Sequence, residues 1–421
     1  MSPPAHGFAV LRQRDYTLYV GARFFSSIAS QMLIVAVGWQ VYQKTGRLFD
    51  LGMIGLSQFL PFLCLAIFAG HAADRYDRRA ILFLCGGAQL SCAVLLLVFA
   101  ATGLALTWPI FAVLALLGVA RAFQMPTGQS LLPNLIPPGM LGSAIALSST
   151  TFQIATIAGP SAGGALYALA EKARGASGGA VLVYAAACAL FVVAMTMLAL
   201  MRPHRGGDRL VAISWASLLE GLRFVWRRKT VLGAMSLDLF AVLFGGATAL
   251  LPAFTRDVLH AGPGVFGLLR TAPGVGAGLM ALVLAFRPIH RHVGVYMFAG
   301  VGTFGVMTVI FGLTGSFWVA LAALFILGAS DMVSVFIRSM LVQVETPDSI
   351  RGRVSAVNAI SIGCSNELGE FESGVTAAWL GLVPAIVAGG IATLGITALW
   401  AYGLFPQLRR LQTLEKTTLI N

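Results

Sequence analysis

The stretch Gly70-His71-Ala72-Ala73-Asp74-Arg75-Tyr76-Asp77-Arg78-Arg79 separates two long apolar runs, 51–69 and 80–101. Asp74, Arg75, Asp77, Arg78 and Arg79 crowd charge into ten positions. Hydrocarbon offers such groups neither water nor counter-charge. The stretch therefore reads as a tight loop joining two membrane spans, and it sets the register of the spans on either side.

Composition extends that reading to the whole chain. Of 421 residues, 58% are hydrophobic and 10% charged, with a mean hydropathy of +0.85. A soluble domain carries about 25% charged residues. A helix crosses a bilayer with roughly 20 apolar residues. On that length the sequence predicts twelve spans near 17–42, 50–70, 80–101, 107–129, 141–169, 179–201, 230–254, 263–286, 294–314, 317–340, 353–378 and 381–404. The expected fold is an all-α membrane protein of twelve transmembrane helices in two six-helix halves. Arg12 and Arg14 precede the first run and no small-residue cleavage site follows it, so a removable signal peptide is not expected.

Basic residues give the orientation. With the N-terminus inside, inner segments hold 19 of the 28 lysines and arginines. Outer loops hold Lys44, Arg47, Lys172, Arg174 and Arg256. That bias places both termini in the cytoplasm. The net charge of +12 is then topological, and its scatter over short loops argues against nucleic acid as a partner. Cys64, Cys85, Cys92, Cys188 and Cys364 all fall inside apolar spans, outside any metal-ligand spacing. All six histidines lie outside the spans. No metal and no cofactor are expected.

The polar segment 202–229 divides the spans six and six, giving halves at 1–201 and 230–421. Within it Trp215, Leu218, Leu219, Leu222 and Val225 recur at helical spacing, which predicts an amphipathic helix on the inner membrane face. A shift of 210 residues lays Gly118 and Arg121 over Gly328 and Asp331. The same shift lays Pro137 over Pro347, Gly159 over Gly369, and Gly164 over Gly374. Two such halves, related by an axis along the membrane normal, describe a known transporter plan with its substrate site near the midplane.

At this point the chain resembles the major facilitator superfamily over essentially its whole length. Gly70, Asp74, Arg75, Arg78 and Arg79 fit that superfamily's loop between helices 2 and 3, while Asp77 stands where glycine is usual. The resemblance implies a conformational latch there. Gly159-Pro160-Ser161-Ala162-Gly163-Gly164 is similar to the signature of the antiporter branch, with Ala155 replacing its usual first glycine. Three further stretches, 39–46, 122–126 and 351–358, look like drug and siderophore exporters such as enterobactin and macrolide efflux proteins. What this implies is proton-coupled export of a small amphipathic compound by a monomer in the bacterial inner membrane, with protons, substrate and membrane lipids as partners. A lysophospholipid transporter of the same fold and a passive facilitator remain alternatives. An enzyme is not expected: His-Glu-x-x-His, Gly-x-Ser-x-Gly and phosphate-loop patterns do not occur.

Charges inside spans are costly and mark function. Arg23, Arg121, Asp238 and Asp331 come to one depth on the spans that line the cavity in this superfamily, which suggests an inner ionic gate. Glu367 and Glu370, with Arg270 at comparable depth, are the candidate proton-coupling groups, because a carboxylate in a desolvated cavity can exchange protons. Glu372 is expected to be solvated and Arg338 to snorkel to the inner surface. Phe24, Gln31, Gln58, Gln124, Gln153 and Asn366 mix apolar and hydrogen-bonding surface, as a substrate pocket would.

Overall fold

The computed structural model describes residues 7–104, 106–202, 215–289, 291–347 and 350–413. Its long helices are α1 (Arg14–Thr45), α2 (Leu48–Arg75), α3 (Arg78–Ala101), α4 (Trp108–Leu131), α5 (Leu141–Arg174) and α6 (Ala176–Leu200). After the amphipathic α7 (Trp215–Arg227) come α8 (Lys229–Phe244), α9 (Pro263–Phe286), α10 (Val293–Leu313), α11 (Phe317–Glu345), α12 (Arg351–Leu380) and α13 (Leu382–Ala398). No strand occurs among the described residues.

Among the described residues, eleven helical segments are long and apolar enough to cross a membrane. The remaining expected span, the eleventh in chain order, is α12, whose 30 residues exceed the length required. It fails on apolarity because it carries Arg351, Arg353, Glu367, Glu370 and Glu372. The seventh span is broken: α8 stops at Phe244, and Gly245 and Gly246 lead into short helical turns that run to Val258.

The polar stretch that opened the reading is not a ten-residue loop. Helix α2 runs through it to Arg75, and only Tyr76 and Asp77 separate it from α3. Polarity keeps these residues out of hydrocarbon without stopping a helix. Asp77 makes the break, because its side chain accepts the Arg79 backbone N–H at 2.9 Å and caps α3.

The backbone divides into two compact units. One comprises Met1–Lys44, Ser57–Ile213 and Gly262–Leu268; the other comprises Thr45–Leu56, Ser214–Ala261 and Leu269–Asn421. The first has a core around Tyr16, Tyr19, Leu131 and Leu198, and the second one around Leu237, Met297, Ile337 and Trp400.

The same devices recur in both units. Gly175 alone joins α5 to α6 at φ +78°, and Gly381 alone joins α12 to α13 at φ +90°. Only glycine adopts such angles without strain. Gly118 lets α4 ride on the backbone of Gln58 in α2, and its repeat partner Gly328 lets α11 ride on Pro273 in α9. A Cβ at either position would meet backbone that cannot move aside. Gly118→Ala should therefore cost about 1–3 kcal/mol, read as a lower melting temperature in detergent. Gly142→Ala, where an added Cβ meets nothing within 4 Å, should leave that temperature unchanged or raise it.

Candidate functional site

The second unit holds two groups of charges in membrane-spanning helices. In the first, Arg270 of α9 lies 3.6 Å from Glu370 of α12 and also donates to the Thr248 carbonyl at 3.1 Å. Both side chains are about a quarter exposed or less. Gly55, carried in this unit by α2, faces Glu370: a Cβ there would sit 2.9 Å from Glu370 Cβ and 3.0 Å from Oε2. Glycine at 55 thus leaves room for the carboxylate. Glu367 is half-buried one turn earlier on α12. The three residues proposed for proton coupling therefore share one region of one unit. Glu372 is half-buried rather than solvated, and Thr376 Oγ1 donates to it at 2.7 Å.

The second group lies between α8 and α11. Arg338 Nη1 donates to Asp238 at 3.1 Å and to Asn358 Oδ1 of α12 at 3.2 Å. Arg338 is 1% exposed and Asp238 5%. Arg338 does not snorkel; a carboxylate and an amide hold its head inside the unit. Asp331, two helical turns before Arg338 on α11, is half-buried. Asp238, expected with Arg23, Arg121 and Asp331 in an inner ionic gate, pairs within its own unit with Arg338. Arg23 lies over the Phe152 ring, 5.6 Å from its centre, and both it and Arg121 are exposed in the first unit.

The loop arginines act on helix ends. Arg78, 3% exposed, donates to the Ser130 carbonyl at the end of α4 at 3.0 Å. Arg79 donates to the Leu198 and Ala199 carbonyls at the end of α6, the first at 2.9 Å. Cations there satisfy free carbonyls and oppose the helix dipoles. Gly70 is buried and Arg75 exposed; the Asp74 side chain lies outside the described residues.

The antiporter-like motif is a packing surface. Gly159 and Gly163 seat α5 on Gln31 and Met32 of α1, and Gly164 meets Pro263 and Gly267 at the start of α9. Pro160 is buried beside them, and its carbonyl approaches Gly267.

Of the six pocket candidates, five lie in the first unit, and the exposed Asn366 lies in the second. Phe24 packs edge-on against Phe25. Gln31 sits under Gly159, and Gln58 is buried beneath Gly118. Gln153 is half-buried. Gln124 accepts from Gln89 at 3.1 Å, and Gln89 in turn accepts from Ser26 at 3.1 Å. That chain brings in Gln89, 2% exposed, which sequence reasoning missed. Gln40, bound by Tyr184 Oη at 2.6 Å, and Gln43, bound by Tyr167 and donating to Glu171, were missed as well. A glutamine within an apolar span was the available signal.

Of α7, Gly221, Phe224 and Val225 dock on the second unit, where Glu220 pairs with Arg353. Leu219, Leu222 and Trp226 face outward. The expected single apolar face is thus two: Val225 turns inward while Leu219 and Leu222 do not. The side chains of Trp215 and Leu218 and the linker 203–214 lie outside the described residues.

Comparison with known proteins places this geometry. The model of the transmembrane secretion effector family matches residues 5–418. Macrolide efflux protein A of Streptococcus pyogenes is 23% identical over 87% of this chain and 90% of its own length. The enterobactin exporter EntS of Salmonella typhimurium is 25% identical over 92% of each chain. The crystal structure of a bacterial homologue of the human lysosomal transporter Spinster, in an inward-facing and occupied conformation, superposes with a TM-score of 0.72 at 16% identity. That match covers 94% of this chain and 98% of the other. The fold is that of the major facilitator transporters.

The buried pair gives a direct expectation. Removing one partner of a buried ion pair costs about 3–5 kcal/mol, because the other charge stays unmatched. Arg338→Leu should therefore sharply lower the melting temperature. Adding Asp238→Asn should recover much of the loss. A double variant no more stable than the single one would show that Asp238 is not the partner that matters.

Proposed function

This chain belongs to the transmembrane secretion effector family, and from that premise we propose that it exports a small amphipathic compound of the drug or siderophore class. The proposed route is alternating access in a bacterial cytoplasmic membrane, with both termini inside. The substrate class rests on the likeness to the macrolide and enterobactin exporters, which align over nearly the whole chain. The driving step rests on one observation: the partly buried Arg270–Glu370 pair on α9 and α12, with Gly55 leaving room for the carboxylate.

A half-buried carboxylate beside an arginine has two stable partners, the guanidinium and a proton. Protonation of Glu370 releases Arg270, and deprotonation recaptures it. Glu367, one turn away, is placed to share or relay the proton. The pair thereby gives α9 and α12 two discrete arrangements that a pH gradient can bias. Arg78 and Arg79 serve this cycle by holding the ends of α3, α4 and α6 as one rigid body. Leu219, Leu222 and Trp226 of α7, flanked by Arg223 and Arg227, suit an anionic lipid surface.

Glu370→Gln and Glu367→Gln, tested singly in proteoliposomes under an imposed pH gradient, separate this reading from passive facilitation. Glu370→Gln should abolish gradient-driven accumulation while leaving exchange at equal pH measurable. Glu367→Gln should slow accumulation. Unchanged coupling in both variants would remove the carboxylates from the mechanism. Gly55→Ala should mimic part of the Glu370→Gln defect, because the added methyl displaces Glu370.

A further inference from the structure

The Asp238–Arg338 pair borders a small cavity where α8, α10 and α11 pack together. Asp238, Asp331 and Ser334 supply its polar wall, and Val301 and Phe304 of α10 form much of the rest. It has room for about one water-sized particle. Asp331, Ser334 and Arg338 follow one another at positions i, i+3 and i+7, so one face of α11 presents all three.

Charge on this wall does not balance. Arg338 cancels one carboxylate through its 3.1 Å contact with Asp238. Asp331 adds a second, and no basic residue lines the cavity itself. Helices α10 and α13 carry no charged residue at all, and α12 contributes the uncharged Asn358. The remaining charges of α8 and α11, Lys229 and Glu345, lie at the helix ends. Two carboxylates and one guanidinium leave one negative charge in surroundings that penalise it.

A second, independent observation points into the same space. Ser334 is 1% exposed, it lines the cavity, and its Oγ has no hydrogen-bond partner among the described residues. A buried hydroxyl is almost always bonded, and each exception calls for an explanation. An oxygen-seeking cation explains the hydroxyl and the charge together.

We infer that this cavity is a site for one sodium-sized monovalent cation, held by carboxylate oxygens of Asp331 and Asp238 and by Ser334 Oγ. Arg338 limits the site to a single added positive charge, so a divalent ion would leave it overcharged. A proton on Asp331 would cancel the charge alone, whereas a sodium ion cancels it and also supplies Ser334 Oγ with a partner. Glu367 and Glu370 do not line this cavity, and the inference is independent of the role proposed for those acids.

The test uses the purified full-length transporter in detergent, with sodium chloride exchanged for N-methylglucamine chloride at constant ionic strength. Radioactive sodium should bind saturably at one ion per chain, and sodium should raise the melting temperature with the same midpoint. Magnesium should not substitute. Asp331→Asn should abolish both effects, and Ser334→Ala should weaken the midpoint about tenfold. Glu370→Gln should keep wild-type binding, which separates this site from the coupling acids. Equal stability in sodium and N-methylglucamine, or binding that survives Asp331→Asn, would overturn the inference. Should Asp331→Asn fail to fold, an unchanged sodium midpoint in Ser334→Ala overturns it equally.

Discussion

A charge taken into hydrocarbon must find its counter-charge inside the protein, and this constraint organises the second unit. Arg338 is almost fully buried and is matched by Asp238 and Asn358, which binds α8, α11 and α12 to one another. Arg270 is matched by Glu370 and the Thr248 carbonyl, tying α9 to α12 and to the turn after α8. Neither arrangement maximises stability, since well-packed apolar residues do as well or better in such places. Their presence in helices that could have been wholly apolar is the physical reason to assign them work.

The two groups differ in kind. The Asp238–Arg338 pair is tight, dry and amide-bonded, as a fixed strut would be. The Arg270–Glu370 pair is looser and a fifth to a quarter exposed, as an exchangeable contact would be. Glycine supports both. At Gly118 and Gly328 it lets helices cross backbone to backbone, and at Gly55 it makes space for a single carboxylate. The close crossings hold the helices of each unit backbone against backbone.

Much of this was legible in the sequence. Hydrophobic runs located the spans, because bilayer thickness leaves little freedom in helix length. The 210-residue repeat was legible through Gly118 and Gly328, and the structure gives those positions the same crossing. Other features were hidden. Residues 70–79 are polar, which signals water but not loop, so the helical continuation to Arg75 could not be read from charge alone. Arg338 looked free to snorkel because its depth was judged from an estimated helix end; α11 runs on to Glu345 and buries it. Gln89 was missed because its partners Ser26 and Gln124 lie 63 and 35 residues away, and no local pattern encodes such a contact.

Inverted membrane vesicles carrying the protein offer the most direct measurement. With the lumen acidified, a labelled macrolide or enterobactin is added outside and its accumulation followed with and without a protonophore. Export driven by proton exchange requires accumulation above the external concentration, collapsing when the protonophore is added. Equilibration to the external concentration, indifferent to the gradient, would contradict it.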